Sequence, residues 1–435
     1  MKLRQGLILA LLLAASAAAV RAGDGIPIGN AVFYPSVEAV YTHTDNLYLQ
    51  DSSMPYGNVS DSFWEIRPTL GFEFPFEQSY LKLDLGYQYK DYRHYQLSSH
   101  NTYTGDLTGL FALGPQLKLR VEDQFIRGVQ EVNKFDPGYE TYYSNTPFNS
   151  NNLRVGLEMP MGKLNSVEVY GLYNNTHFSQ SDNPLGTPPP FYGYEQTGGG
   201  VTFRHYYTPE SAWLVDAQYL ASRPKNQAFI PGTTQVLDRR NDDWKVALGW
   251  QGAITRQVTG HARAGWERMK FPDNGQGNYS GFTMNAGLAF LPSEYFRVNL
   301  DLDREAYQSA FDVNNFYTAT GGELQVHQEV TRHLFWTAGF RYQENSYPSA
   351  TAADFGFTTT PLDPYAFLNA GQFRKDKIGR AFGEVGFHFT KLLSLRANYQ
   401  YENRDSNIRY ADLEGVHKPF SYKENRLMAQ VQLAW

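Results

Sequence analysis

Hydrophobic and polar residues alternate with period two along most of the chain. Leu81, Leu83, Leu85, Tyr87 and Tyr89 fall on one side of a run whose other side is Lys82, Asp84, Gly86, Gln88 and Lys90. Phe282, Met284, Ala286, Leu288 and Phe290 separate in the same way from Thr283, Asn285, Gly287 and Ala289. Phe296, Val298, Leu300 and Leu302 oppose Arg297, Asn299, Asp301 and Asp303, and Leu393, Leu395, Ala397, Tyr399 and Tyr401 oppose Ser394, Arg396, Asn398, Gln400 and Glu402. A helix repeats every 3.6 residues and would mix these two sets, whereas an extended strand keeps them on opposite faces. The pattern predicts strands throughout, each with one apolar and one polar face.

The connections alternate in length. Tight turns are predicted at Phe76–Ser79, Gly114-Pro115, Pro160–Leu164, Thr208–Glu210, Ile254–Gln257, Pro292–Tyr295, Val330–His333 and Thr390–Leu392, which makes eight. Between them lie nine longer segments at about 44–61, 92–101, 127–150, 178–193, 222–241, 268–279, 306–315, 345–376 and 403–421. Eight plus nine connections join 18 strands, with 16 as the alternative because Gly198-Gly199-Gly200 and Thr320-Gly321-Gly322 weaken the pattern in two of them. The expected fold is all-β: a transmembrane antiparallel up-and-down β-barrel of about 18 strands, with short periplasmic turns and long extracellular loops. A secreted β-sandwich or propeller would also alternate, but it has no use for aromatics at both rims. Tyr87, Tyr89 and Tyr92, or Trp244 and Trp250 at the two ends of one strand, suit the girdles of a membrane wall.

Composition agrees once the alternation is taken into account. The chain holds 31 Tyr, 29 Phe and 7 Trp yet is polar on average, as expected where only every second side chain meets lipid. Lys2 and Arg4 precede an apolar run from Leu7 to Val20, and Val20-Arg21-Ala22 has the form of a cleavage site, which predicts a removed secretory signal at residues 1–22. An N-terminal membrane anchor is the alternative, for which the run is short. The remaining 435 − 22 = 413 residues form one expected barrel domain, 23–435. That exceeds the ~250–300 residues at which single cores stop growing, but barrel size follows strand number. Cysteine is absent, which excludes disulfides, thiolate metal sites and covalent haem attachment. Without Lys2, Arg4 and Arg21 the charge is 35 − 44 = −9, and no nucleic-acid partner is expected.

Charges on the polar face are of both signs. The candidate pore-lining residues are Glu65, Arg67, Lys82, Asp84, Lys118, Arg120, Arg263, Glu267, Arg297, Asp301, Arg341, Glu384, Arg396 and Glu402. Charges are costly against lipid and cheap in a wet channel, which assigns this face to the lumen. Interleaved signs suit a bulky, weakly charged solute and weak ion selectivity. The alternative is that they pair across strands and fill space. Tyr139, Tyr142, Tyr143, Tyr192 and Tyr194 lie in aromatic-rich loops and are candidate sugar contacts, because a ring face with an adjacent hydroxyl matches a pyranose; interfacial anchoring is the competing use. The longest loop, Asn345 to Asp376, carries Phe355, Phe357, Tyr365, Phe367 and Phe373 and is the candidate plug. No catalytic constellation is expected: His100 follows Ser98-Ser99 in a polar loop, and His388 with Glu384 could hydrogen-bond but offers only two metal ligands. No cofactor and no metal are implied.

Several segments carry resemblances. Leu427, Ala429, Val431, Leu433 and Trp435 alternate with polar residues in a pattern that resembles the C-terminal signature of bacterial outer-membrane barrels. In that class the last aromatic strand is read by the barrel-insertion machinery, which makes Trp435 the expected insertion signal. Tyr34-Pro35-Ser36-Val37-Glu38-Ala39-Val40-Tyr41 and Asp45-Asn46-Leu47-Tyr48 are similar to the first strand of the putative beta-barrel porin 2 family, including its EpsL-type members encoded with exopolysaccharide synthesis genes. Ile66-Arg67-Pro68-Thr69-Leu70-Gly71, Tyr87 to Tyr92 and Tyr422 to Trp435 resemble the second, third and last strands of that family. The resemblance implies a monomeric channel in the outer membrane of a Gram-negative bacterium, in contact with outer-membrane lipid. It also implies a final conduit for a secreted polysaccharide handed over by periplasmic export components. No binding residue transfers with it. The alternatives are an uptake porin, general or substrate-specific, and a structural sheath for a periplasmic cytochrome or a loop-displaying surface protein.

Overall fold

Each long alternating run forms one strand of a single antiparallel sheet. The computed structural model describes residues 25–49, 51–52, 59–95, 99–129, 147–178, 193–225, 228–229, 236–272, 277–309, 314–348, 373–407, 409–411, 417–419 and 421–435. The wall strands are β1 (Ala31–Thr44), β2 (Asp61–Phe76), β3 (Ser79–Tyr92), β4 (His100–Gly114), β5 (Leu117–Val129) and β6 (Pro147–Met161). They continue as β7 (Asn165–Phe178), β8 (Tyr194–Thr208), β9 (Ser211–Pro224), β10 (Asn241–Ala253), β11 (Val258–Lys270) and β12 (Tyr279–Ser293). The last six are β13 (Phe296–Gln308), β14 (Phe316–Glu329), β15 (Leu334–Ser346), β16 (Lys375–His388), β17 (Leu393–Ser406) and β18 (Tyr422–Ala434).

Every strand pairs with its sequence neighbours, and β18 pairs with β1 in the register Val37↔Leu433 and Tyr41↔Ala429. The wall is therefore a closed barrel of 18 strands, which leaves no unpaired sheet edge in the hydrocarbon layer. The glycine runs do not reduce the count. Gly198 to Gly200 lie inside β8, where the ring of Tyr170 from β7 covers Gly200 and would collide with any side chain there. Between strand bounds, eight connections span two to four residues and nine span seven to 28, and the two kinds emerge at opposite ends of the barrel.

The two faces separate as the alternation predicts. Trp64, Trp213, Trp244, Leu248 and Trp266 point outward and are more than half exposed on the isolated chain. Their sequence neighbours Glu65, Asp243 and Glu267 point inward and are buried. Outward positions that break the rule include Arg304 and Asp123. The registers Met284↔Arg304↔Thr320 and Leu107↔Asp123↔Leu153 put Arg304 and Asp123 on the outer face. Arg304 donates to Thr320 Oγ1 at 2.8 Å and to the Phe282 carbonyl at 3.3 Å, and Asp123 accepts from Asn151 Nδ2 at 2.8 Å. Each charge is thus held by polar atoms of the wall itself.

Some expectations fall outside the described residues: the signal at 1–22, the loop residues Tyr139, Tyr142, Tyr143 and Tyr192, and Phe355, Phe357, Tyr365 and Phe367 of the candidate plug. Tyr194 is the first residue of β8 rather than a loop residue. His100 likewise opens β4; its ring lies 6.3 Å from that of Tyr92 and is buried, so it is no free loop histidine.

Candidate functional site

The site is the inner wall, and it differs from one end to the other. In the half nearer the long loops, charged side chains are tied to one another across strands. Arg67 on β2 donates to Glu38 of β1 at 3.0 Å and through Nε to Glu65 at 2.7 Å. Glu65 also accepts from Gln88 at 2.8 Å and faces Lys90 at 3.4 Å, both on β3. On β16 and β17, Arg380 donates to Glu402 through Nε at 2.8 Å and Nη2 at 2.6 Å, while the Tyr422 hydroxyl takes the other carboxylate oxygen at 2.6 Å. Arg154, Glu168 and Arg204 form a similar triplet across β6, β7 and β8, but in the short-turn half, since Glu168 is the fourth residue of β7 after the turn and Arg204 lies near the end of β8; the Glu168 oxygens are 2.6 and 2.7 Å from the two guanidinium groups.

Deepest of these is Asp376, at 0 % exposure. It accepts from Arg374 at 2.7 Å, from Arg404, and from the Ser406 hydroxyl. Arg374 lies just before β16, and its guanidinium also sits 4.2 Å from the Tyr347 ring centroid. Burial works against the Arg374 charge, but the Asp376 carboxylate more than offsets it and raises the guanidinium pKa above its ordinary value.

The seam between β1 and β18 is fastened at this same end. The Asp45 carboxylate accepts from the Asn425 backbone N–H at 2.7 Å and from its side-chain amide at 2.6 Å, while the Asp45 N–H donates to the Asn425 carbonyl at 3.2 Å. Asn46 Nδ2 donates to the Lys423 carbonyl at 2.9 Å, and Thr44 Oγ1 donates to Glu424 at 2.7 Å. The Asp-Asn pair that follows the first strand is therefore a clasp on the last one. Trp435, the expected insertion signal, donates its N–H to Pro35 at 3.1 Å and so continues the same ladder at the other end of the seam.

Away from the Glu168 triplet, the wall opens towards the short turns. Of the candidate pore-lining residues, Glu65, Glu267 and Glu402 are buried, whereas Lys82, Lys118, Arg263, Arg297 and Asp301 are exposed to the bore. Arg67, Asp84, Arg120, Arg341, Glu384 and Arg396 are intermediate. Lys82 pairs with Asp84 at 3.2 Å and Arg120 with Glu122 at 3.4 Å; Arg341 reaches Asp303 at 3.5 Å and Glu323 at 3.6 Å. Lys118, Arg263, Arg297, Asp301 and Glu384 have no ion-pair partner among the described residues. Glu267 is buried against Asp243, and both leave one carboxylate oxygen without a donor.

Two recesses open on the bore near the short turns. One, of about 460 Å³ between β10 and β13, is lined by Gln251, His261, Asn299, Arg297, Asp301 and Glu210. The other, of about 410 Å³ between β14 and β17, holds His327, Glu384, His388 and Arg396. Glu384 and His388 thus share a recess, but the His388 ring stacks on Phe335, with centroids 5.1 Å apart, rather than bonding to Glu384. The alternation gave no reason to select His261, Gln251 or Glu210, because neutral and turn residues carry no charge pattern. Among the described residues no group of three or more His, Asp or Glu is placed to hold a metal.

No curated protein matches the sequence. Solved structures similar to it include the outer membrane protein opdK from Pseudomonas aeruginosa, at 10 % identity and a TM-score of 0.43, covering 93 % of this chain and 99 % of that one. OccK2 (OpdF) of the same organism, solved in complex with glucuronate, has 11 % identity and a TM-score of 0.45, covering 94 % and 100 %. The siderophore receptor PirA from Acinetobacter baumannii has 8 % identity and a TM-score of 0.45, covering 93 % and 80 %. A closed strand wall with an apolar exterior and a polar, partly open bore is a porin-like channel of the Gram-negative outer membrane, and the family model that matches residues 22–434 places the chain in the family "Putative beta-barrel porin 2".

Proposed function

We propose that this channel passes hydroxyl-rich solutes of low net charge, and that its physiological cargo is a secreted polysaccharide leaving the cell. The supporting observation is the cancellation of charge along the inner wall: Glu38, Arg67, Glu65 and Lys90 on three adjacent strands sum to zero, and on three others Glu168 offsets one of the two charges of Arg154 and Arg204. A wall of this kind offers many hydrogen-bonding groups and little net field, which favours an uncharged polymer over an ion. In this reading a signal at residues 1–22 is removed, residues 23–435 act as a monomer, and periplasmic export components deliver the polymer to the short-turn end. Deleting the protein then leaves polymer synthesis running while polysaccharide on the cell surface falls; unchanged surface polysaccharide would refute it.

One observation favours a second reading, uptake of a small sugar. Inner-wall residues near the long loops, among them Asn345 and Asp376, are wholly buried, so the open polar groups that could grip a sugar, Lys118, Arg297 and Asp301 among them, lie towards the short turns. Uptake predicts slower growth of the deletion strain on one particular sugar with surface polysaccharide intact.

A further inference from the structure

We infer that the recess between β10 and β13 is a subsite for one neutral pyranose unit at the short-turn mouth of the bore. The inference rests on the hydroxyl-rich cargo proposed above and adds a place and a set of residues to it. Gly287 on β12 forms the floor. A Cβ there would strike the His261 ring from β11 and stand 2.6 Å from Asp301 Oδ1 of β13, so the two side chains converge over bare backbone.

The lining is already held in position. His261 Nε2 lies 2.9 Å from Asn285 Oδ1, and Arg297 Nε donates to Asn299 Oδ1 at 2.8 Å. Asn299 is in turn fixed by its own donation to Gln325 at 3.3 Å. These contacts leave the outer guanidinium nitrogens of Arg297 and both oxygens of Asp301 without a partner among the described residues. A free carboxylate accepts from two adjacent hydroxyls, and a free guanidinium edge donates to a hydroxyl or ring oxygen, which together match the vicinal diol of a pyranose. Arg297, Asp301 and Glu210 sum to 1 − 2 = −1, which disfavours a uronic acid and selects a neutral sugar. A volume of about 460 Å³ is within the ~300–1,000 Å³ of small-molecule pockets and suits one ring with its ordered water.

Planar-bilayer recordings of the full-length protein, with maltohexaose added on the short-turn side, test the assignment. The native channel is expected to show transient interruptions of ion current. Asp301→Ala and Gly287→Val, the second of which fills the floor while keeping every charge, each shorten those interruptions at least about tenfold, as the loss of a charge-assisted hydrogen bond implies. If Gly287→Val does not insert, the isosteric Asp301→Asn takes its place. Native channels that maltohexaose never interrupts, or variants whose interruptions last as long as the native ones, would overturn the assignment. Polymer lost on deletion together with unchanged interruptions in the variants overturns the recess alone; shortened interruptions with surface polysaccharide unaffected by deletion overturn export alone.

Discussion

Glu402 and Asp301 are both carboxylates on the inner face of the same wall, yet their circumstances are opposite. Glu402 is 2 % exposed and accepts from Arg380 and Tyr422 on the two flanking strands. Asp301 is open to the bore and has no ion-pair partner among the described residues. The same contrast separates Glu65, Glu168 and Asp376 from Lys118, Arg263 and Arg297; Glu65 and Asp376 lie nearer the long loops, whereas Glu168 is a lock within the short-turn half. The long-loop half uses charge to fix strands against one another, and the short-turn half, apart from the Glu168 triplet and the pairs Lys82 with Asp84 and Arg120 with Glu122, leaves charge free for whatever passes. Charge on the inner face is therefore no guide to transport until its partners are known.

The contrast can be broken most severely at Asp376. Asp376→Ala leaves Arg374 and Arg404 buried without their shared carboxylate and should cost about 3–5 kcal/mol. Urea unfolding of the protein refolded into lipid vesicles measures this, and an unmoved midpoint would mean that the long-loop half is not the rigid one. Asp45→Ala removes the clasp on Asn425 and should cost about 1–3 kcal/mol. Its readout is the temperature at which the folded, fast-migrating band disappears from a detergent gel, which should fall while open-channel conductance stays native. At the open end, Arg297→Ala should change stability by less than about 0.5 kcal/mol, since its loss leaves no buried charge unpaired. It should instead move the reversal potential in a salt gradient towards cation preference, and a destabilised channel with native selectivity would contradict the division drawn between the two ends.

Much of the fold is legible in the sequence, because a wall that meets hydrocarbon on one side and water on the other must alternate residue by residue. Leu81 to Tyr89 and Phe282 to Phe290 give their strand and their outward face directly. The eight tight turns fix the count, and Gly198 to Gly200 mislead only if Tyr170, on the neighbouring strand, is left out of account. Which inner charges are locked was not legible. Arg263 and Glu267 share a strand and a face four residues apart, but one is open and the other buried, because burial depends on height in the barrel and on the register of strands far away in sequence. The clasp was visible as a motif, Asp45-Asn46, and invisible as a mechanism, since its partner is 380 positions later. Arg304 and Asp123 show the converse, charges that alternation places outward although charge alone would assign them to the lumen.

That clasp bears on how the molecule is made. Contacts between Thr44, Asp45 and Asn46 and residues 423 to 425 join the beginning of the wall to its end, so the edge of the first strand away from β2 cannot be secured until the last has been synthesised and delivered. Closure must then be a late event, slowed by the cost of bringing distant segments together. Until it happens the nascent protein has two raw sheet edges, each a template for pairing with another chain.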